Sequence, residues 1–242
     1  MKVAMLGTGA IAPVALAAMN AAAGISVEAL WCRQHSRQRG ETLARDYGIP
    51  RVYTDCRALF READVDTAYI ALVNPVHFAY AREALLAGKN VILEKPFCTR
   101  WAQTRELADL AREKGLFLLE AMPLWHGALF RKIRELVPAL GPIRLVQGNY
   151  SQYSSRYDRY RKGEVLPAFD PALAGGALYD LNVYNIAWTA GLWGLPEKVL
   201  YAPNRGWNGV DTSGVLLLGY PGFQAALSAA KDSDSPSGFL VQ

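Results

Sequence analysis

The residues most suggestive of chemistry stand close to the N-terminus, in the run Gly7-Thr8-Gly9-Ala10-Ile11-Ala12. The run follows a short apolar segment typical of a strand and precedes an alanine-rich segment typical of a helix. Between such elements Gly7 permits a tight turn, Gly9 lets backbone amides approach a pyrophosphate, and Ala12 allows close packing of helix on strand. The unpaired amides at the helix N-terminus then face the anion. The pattern predicts a dinucleotide site; a glycine-rich turn without a ligand is the alternative.

The end of the second predicted strand carries cations where an NAD enzyme would carry a carboxylate. An acidic residue about 20 residues after the glycine turn would bind the ribose 2′-hydroxyl, but the sequence has Cys32-Arg33, with Arg37 close behind. A guanidinium can hold a 2′-phosphate through two hydrogen bonds and can stack on adenine. We therefore predict NADP(H), bound through Arg33 and Arg37, in preference to NAD(H). Solvated loop cations without a ligand are the alternative.

A lysine directly follows another predicted strand. Residues 90–94 are predicted as a strand, and Lys95-Pro96 lies at its carboxyl end. Ligands of open α/β sheets bind outside the carboxyl ends of the strands, so we expect Lys95 to reach the nicotinamide and the reacting oxygen. Its positive charge can lower the pKa of a neighbouring acid. A plain surface lysine is the alternative.

Strands and helices alternate up to about Met122 and thereby predict the element that positions these residues. The predicted strands cover residues 2–6, 26–32, 51–53, 67–73, 90–94 and 116–120, with helices over 10–23, 36–47, 76–87 and 101–114. This alternation predicts an α/β fold in which residues 1–122 form a doubly wound parallel sheet of the Rossmann type, binding NAD(P). The pattern changes at Pro123. Residues 123–242 are predicted to form an α+β domain for substrate binding and oligomerisation, with an open, mainly antiparallel sheet.

Several motifs together resemble the Gfo/Idh/MocA family, named for glucose–fructose oxidoreductase and inositol dehydrogenase. They are the N-terminal glycine turn, Asn74-Pro75-Val76-His77, Glu94-Lys95-Pro96, Glu120-Ala121 and Gly141-Pro142-Ile143. The resemblance implies that Asn74 and Pro75 line the nicotinamide side, and it adds His77 and Glu94 to the cofactor-binding residues. It also implies hydride transfer between a nicotinamide and a sugar, polyol, diol or related carbonyl substrate held between the domains.

A second glycine turn, Gly175-Gly176, leads into a predicted helix that carries Asp180 and Tyr184. It resembles the turn into the family's substrate domain, whose commoner form has Gly at position 182 and His at position 184 in this numbering. The resemblance implies that glucose–fructose oxidoreductase and dimeric dihydrodiol dehydrogenase carry Tyr at position 184. The chain is therefore expected to resemble this subgroup of the family rather than the members that carry His there. A spacing of four residues puts Asp180 and Tyr184 on one helix face.

These residues predict an acid–base mechanism. A phenol can donate a proton if a nearby cation lowers its pKa from about 10. We predict that Tyr184 is the proton donor in reduction, that Lys95 lowers its pKa and polarises the carbonyl, and that Asp180 orients Lys95 or a substrate hydroxyl. The alternative is that Tyr184 has no catalytic role and is an ordinary residue of an amphipathic helix.

The family resemblance covers the whole chain, but the chain is shorter than the family members. We therefore expect the second domain to lack its last strands and closing helix, either as a shortened variant or as a fragment. A non-catalytic NADP(H) sensor, or a truncated remnant of the enzyme, is accordingly the second function that the sequence supports.

The composition argues against several other classes of protein. The 242 residues are 51% hydrophobic and carry a net charge of +4, which is typical of a globular protein with a weak preference for anionic ligands. Three scattered cysteines and three separated histidines argue against disulfides and a metal site and fit a reducing cytoplasm. The Tyr- and Arg-rich segment 153–162 lacks a nucleic-acid fold signature. The charge-free run 3–27 resembles an export signal but is better explained by the dinucleotide fold. We predict a cytoplasmic homo-oligomer, a dimer or tetramer, without membrane or nucleic-acid partners.

Overall fold

The computed structural model describes all 242 residues, Met1–Gln242, and the chain divides into two units, Met1–Ala121 and Met122–Gln242. In the first unit the strands are β1 Lys2–Leu6, β2 Ser26–Trp31, β3 Arg51–Tyr53, β4 Thr67–Ile70, β5 Asn90–Glu94 and β6 Leu118–Ala121. Its helices are α1 Ala12–Ala21, α2 Arg37–Tyr47, α3 Cys56–Glu62, α4 His77–Leu86 and α5 Trp101–Lys114.

The six strands of the first unit form one sheet in the order β3-β2-β1-β4-β5-β6, and every neighbouring pair is parallel. One face is covered by a core that includes Leu59, Leu85 and Leu107 of α3, α4 and α5. The other face packs on Leu16 of α1 and Leu43 of α2. The predicted doubly wound α/β sheet is confirmed, and its strand order reverses between β1 and β4, which is where such sheets bind ligands.

The charge-free run of residues 3–27 is divided among β1, α1 and β2. Its side chains supply much of the core beneath α1, including Val3, Met5 and Leu16, which are almost fully buried. The run therefore folds as strand, helix and strand. None of the helices in the chain combines the length and the apolar character that a membrane span requires.

The second unit contains the strands β7 Leu145–Ser151, β8 Lys198–Arg205, β9 Asp211–Tyr220, β10 Phe223–Ala230 and β11 Gly238–Val241. Its helices are α6 Pro123–His126, α7 Ala128–Leu136, α8 Tyr157–Arg161 and α9 Val183–Trp193, and a π-helical segment, Leu178–Asn182, leads into α9. The sheet order is β11-β7-β10-β9-β8, and only the β7–β10 pair is parallel. The predicted open, mainly antiparallel sheet is thus confirmed.

Helix α9 packs against β7 and β10 through a buried polar pair as well as through apolar side chains. The Asn185 amide donates to Ser228 O at 3.0 Å and to Asn182 Oδ1 at 2.9 Å, while the Asn182 amide donates to Leu227 O at 3.2 Å. Both asparagines are buried. Since buried polar groups are costly without partners, these hydrogen bonds fix the position of the helix on the sheet.

The opposite face of this sheet remains exposed. Pairing places Leu200, Leu217, Ala226, Gln147 and Leu240 in one row across β8, β9, β10, β7 and β11. The three leucines of this row are 64%, 41% and 51% exposed. An apolar exposed row is the kind of surface on which subunits associate, and the homo-oligomer predicted from the sequence stays a prediction.

Several elements differ from the expectations, among them α3 and β8. Helix α3 was not predicted, although its N-cap Asp55 accepts hydrogen bonds from the amides of Arg57 and Ala58. Strand β8 was also not predicted, because it is an edge strand with little burial and contains Pro203. Proline is tolerated in edge strands, where its nitrogen needs no partner.

Candidate active site

The glycine turn lies between β1 and α1 and forms the floor of a cleft of about 340 Å³. Gly7 has a φ of +115°, and a Cβ there would lie 2.3 Å from Ala71 O, so no other residue fits. At Gly9 a Cβ would meet no atom within 4 Å, which leaves room for a ligand to approach the backbone. Ala12, the first residue of α1, is fully buried. The cleft is lined by Gly7, Thr8, Gly9, Ala10, Ile11, Trp31, Cys32, Arg33, His35, Ser36, Ala71, Leu72 and Val73.

The charge around this cleft suits an anion. Arg33 and His35 line it, and no carboxylate is among the lining residues. Burial raises the pKa of the Cys32 thiol, which is therefore uncharged near neutral pH. The first turn of α1 contains no acidic residue and its N-cap makes no side-chain hydrogen bond, so the helix amides face the turn without a competing side chain. These residues fit a dinucleotide that carries a 2′-phosphate.

Arg37, predicted together with Arg33, does not line the cleft. Its Nε donates to Glu41 Oε1 at 2.8 Å along the first turn of α2. Its contribution to phosphate binding stays a prediction. His35 and Ser36, by contrast, line the cleft but were not predicted as binding residues, although they stand directly between the two arginines.

The turn after β4 is held in place by a buried histidine. Asn74 and Pro75 lie in a short 3₁₀ turn, Asn74–Val76, and α4 begins at His77. The His77 ring is fully buried, with Nδ1 3.0 Å from Pro96 O and Nε2 3.0 Å from Leu72 O. His77, predicted as a cofactor-binding residue, therefore joins the cleft residue Leu72 to the loop of Lys95 and has no open side toward a ligand.

Lys95 directly follows β5, as predicted, and its half-buried side chain lies near the half-buried carboxylates of Glu94 and Glu120. Tyr69 donates its hydroxyl to Glu94 Oε1 at 2.5 Å, and the backbone amide of Phe97 donates to Glu120 Oε1 at 3.0 Å. Glu94, predicted to bind cofactor, thus braces β4 against β5. Tyr69 was missed because it stands within an otherwise apolar strand.

The acidity of Glu120 reflects this environment. Burial, which is the largest cause, raises the pKa of the Glu120 carboxyl, and the negative charge of Glu94 raises it further. The hydrogen bond from the Phe97 amide and the positive charge of Lys95 lower this pKa and offset part of the rise. Glu120 follows Leu119 in β6, one strand beyond Lys95 in the sheet. The carboxyl ends of β5 and β6 therefore place two carboxylates and one lysine in electrostatic contact, which gives this edge of the first unit the capacity to bind and polarise a polar group.

In the second unit the Gly175-Gly176 turn leads into the π-helical segment that contains Asp180, and Tyr184 lies in the first turn of α9. The segment was predicted as α-helix throughout. Its start is fixed by Asp211, whose Oδ2 accepts hydrogen bonds from the amide of Leu178 at 2.7 Å and from the Tyr201 hydroxyl at 2.6 Å. A π-helical turn inside a helix is a frequent feature of functional sites.

Both predicted acid–base residues of this segment make side-chain contacts within the second unit. The Tyr184 ring packs edge-on against Tyr150, with centroids 5.3 Å apart. Asp180 Oδ2 accepts a hydrogen bond from Lys231 Nζ at 2.6 Å. Lys231 was not identified in the sequence, because it stands beside Asp232-Ser233-Asp234 in a polar stretch that is typical of a solvated loop.

The Tyr- and Arg-rich segment forms part of an aromatic cluster around α8. Tyr160 stacks on Phe169 and on Trp207, with centroids 4.7 and 5.3 Å apart. Arg159 forms an ion pair with Glu164. Aromatic burial and local charge pairing therefore account for part of this composition.

Comparison with known proteins gives a consistent picture. A family model described as an oxidoreductase family with an NAD-binding Rossmann fold matches residues 1–121. The uncharacterized oxidoreductase YgjR of Escherichia coli is 32% identical over 97% of this chain and 71% of its own length. The NADP⁺-dependent scyllo-inositol 2-dehydrogenase IolU of Bacillus subtilis is 34% identical over 83% of this chain and 61% of its length.

Two further similar proteins have names that state an oxidoreductase activity. Trans-1,2-dihydrobenzene-1,2-diol dehydrogenase of Oryctolagus cuniculus is 34% identical over 76% of this chain and 55% of its own length. The solved structure of a 3-ketoreductase from Actinomadura kijaniata, in complex with NADP and TDP-benzene, superposes with a TM-score of 0.87 at 25% identity, covering 99% of this chain and 72% of that one.

Proposed function

The chain belongs to the Gfo/Idh/MocA oxidoreductase family, and on this basis we propose that it is an NADP(H)-dependent oxidoreductase that interconverts an alcohol and a carbonyl group. The substrate class is a sugar, polyol, diol or related small molecule. The observation that carries the proposal is the cleft at the glycine turn, which is lined by Arg33 and by no carboxylate. The names of the inositol dehydrogenase, the diol dehydrogenase and the 3-ketoreductase support the substrate class.

The first unit would hold the cofactor. The glycine turn and the N-terminus of α1 would bind the pyrophosphate, Arg33 would bind the 2′-phosphate, and Asn74 and Pro75 would line the nicotinamide side. When bound, NADP(H) supplies or accepts the hydride. His77 contributes by holding the Leu72 and Pro96 backbones at a fixed separation.

The protein side of the reaction is proton transfer. In this proposal the Tyr184 hydroxyl gives its proton to the substrate oxygen in reduction and takes it back in oxidation. Lys95 stabilises the phenolate left behind and polarises the carbonyl by its positive charge. Asp180 orients a substrate hydroxyl or Lys95. The substrate domain would be the second unit, residues 122–242, and the cofactor domain the first.

We expect Arg33→Ala to weaken NADPH binding by about 10- to 100-fold and to leave NADH binding almost unchanged. A hydrogen bond to a charged group is worth about 1.5–3 kcal/mol, and only NADPH has the 2′-phosphate that receives it. Nicotinamide fluorescence gives both dissociation constants directly.

Arg39→Ala is the matched control, because Arg39 is also exposed and close in sequence but does not line the cleft. Arg37→Ala measures the contribution of the second predicted arginine. Tighter binding of NADH than of NADPH by the unaltered chain, or an unchanged NADPH affinity in Arg33→Ala, would contradict the cofactor assignment.

A turnover assay separates the enzyme from the second candidate function, a non-catalytic NADP(H) sensor or remnant. The chain spans 71%, 61% and 55% of the length of the three relatives described above. We expect oxidation of NADPH with carbonyl compounds, or reduction of NADP⁺ with inositols, diols or sugars, followed by absorbance at the nicotinamide band. Cofactor binding without turnover of any panel member would favour the sensor.

A further inference from the structure

Lys231 is a lysine whose charge lies inside the second unit. The residue follows β10 directly and is 2% exposed. Its Nζ donates to Asp180 Oδ2 at 2.6 Å and to Ala168 O at 2.8 Å, and it lies 4.8 Å from the centre of the Phe169 ring. The ammonium group therefore meets a carboxylate, a carbonyl and an aromatic face.

Burying an ammonium group costs several kcal/mol unless opposite charge and hydrogen bonds compensate for lost hydration. The carboxylate supplies the charge, the carbonyl takes a second N–H, and the ring face contributes a cation–π interaction. Breaking such a pair by removing one partner is strongly unfavourable, because the other charge remains without compensation. The contacts thus couple Lys231 and Asp180 as one unit.

The position of Lys231 is itself fixed by the backbone. Its amide donates to Thr212 O at 2.8 Å, which ties it to β9. Ala168 O, which accepts from Lys231, also accepts the amide of Gly176 at 3.1 Å. The ammonium group is therefore anchored to the same carbonyl that shapes the glycine turn before Asp180, so it provides a rigid reference point for that carboxylate.

The pair reaches from the interior to the surface. The Lys231 side chain is 3% exposed, whereas the Asp180 side chain is 40% exposed. Here the buried cation holds an acid that a ligand can still approach, four residues before Tyr184 in the chain.

We propose that Lys231 is a positioning residue, which fixes the orientation of the Asp180 carboxylate for the acid–base chemistry of the same segment. The pairing stands on the contacts given above. Its catalytic consequence rests on the proposed function.

The first experiment measures the pair without any substrate. The full chain is labelled with ¹³C at the aspartate carboxyl, the Asp180 signal is assigned with Asp180→Asn, and its pH titration is followed by NMR. We expect Lys231→Met to move the titration midpoint of Asp180 upward by about one pH unit or more, because an adjacent cation favours the ionised carboxyl. We expect Lys231→Arg, which keeps the charge, to restore most of the difference.

Lys198→Met is the matched control, since Lys198 is an exposed lysine of the same unit and should leave the Asp180 signal unchanged. If Lys231→Met does not fold, the unaltered chain still tests the pair. The Asp180 midpoint should then be nearly the same at 0.1 M and 1 M salt, because the Lys231 ammonium group is almost fully buried and buried charges are screened much less than exposed ones. A midpoint unaffected by Lys231→Met, or a strongly salt-dependent midpoint, would overturn the proposal.

The second experiment tests the catalytic consequence once a substrate is found. Lys231→Met should lower kcat/KM at neutral pH by about tenfold or more and should shift the acidic limb of its pH profile upward, while the NADPH dissociation constant stays constant. Lys231→Arg should recover part of the rate. An unchanged profile in a variant whose Asp180 titration has shifted would refute the positioning role. Absence of turnover by the unaltered chain would count against the proposed function alone, because the NMR result does not depend on it.

Discussion

We expect Tyr184→Phe to lower kcat by about 10²- to 10⁴-fold, the range that removal of a general acid typically costs. The substitution keeps the ring and therefore the edge-on contact with Tyr150. Only the hydroxyl is lost, so the affinity for NADPH and the thermal midpoint should stay close to those of the unaltered chain. Steady-state kinetics with an active substrate, nicotinamide fluorescence and thermal unfolding measure these three quantities.

Tyr150→Phe is the control for this prediction, because it removes the hydroxyl of the contacting ring and should leave kcat within about twofold. A double variant with Lys95→Met gives a further test. If both groups act on the same substrate oxygen, the combined loss should be smaller than the product of the single losses. An unchanged kcat and pH profile in Tyr184→Phe would transfer the role to Lys95, and full activity of Lys95→Met as well would show that the site lies elsewhere.

We expect Gly176→Ala to destabilise the second unit by about 2–4 kcal/mol, through backbone strain and a steric clash together. Gly176 has a φ of +111°, and a Cβ there would lie 1.9 Å from Asp211 Oδ1. Asp211 would have to move, although its other oxygen holds the Leu178 amide and the Tyr201 hydroxyl. Thermal unfolding followed by tryptophan fluorescence should show a midpoint lowered by roughly 4–16 °C.

Gly209→Ala separates the two causes. Gly209 also has a positive φ, +86°, but a Cβ there meets no atom within 4 Å. It should therefore cost only the strain of the left-handed backbone, about 1–2 kcal/mol. Equal midpoints for the two variants would show that the Asp211 contact does not constrain the turn.

The sequence predicted the first unit well because its signals are local. Buried parallel strands are short apolar runs, and β1, β3 and β5 were predicted with the bounds that they have. The glycine turn was also predictable, because only glycine fits the positive φ and the close backbone contact that this turn has at position 7. The second unit was predicted less completely. Strand β8 has neither alternation nor burial, and the π-helical turn has no periodicity that separates it from an α-helix.

The residues of the candidate site also differ in how far the sequence predicts them. Gly7, Gly9, Arg33 and Lys95 follow from motif and strand position. The partners that hold these groups do not, because they come from distant parts of the chain. His77 contacts carbonyls 5 and 19 residues away, and Lys231 meets Asp180 across 51 residues. A contact of this kind leaves no mark in the local pattern of a single sequence.

The contacts around the Gly175-Gly176 turn also define what a protein engineer would have to move in order to transplant this segment. Asp180 and Tyr184 alone would not keep their geometry in a foreign scaffold, because the turn before them is closed by Asp211 from β9 and the carboxylate is held by Lys231 from the end of β10. The smallest graft is therefore discontinuous. Besides the helical segment it includes at least the ends of two neighbouring strands, so an acceptor fold must already present an antiparallel hairpin beneath the helix.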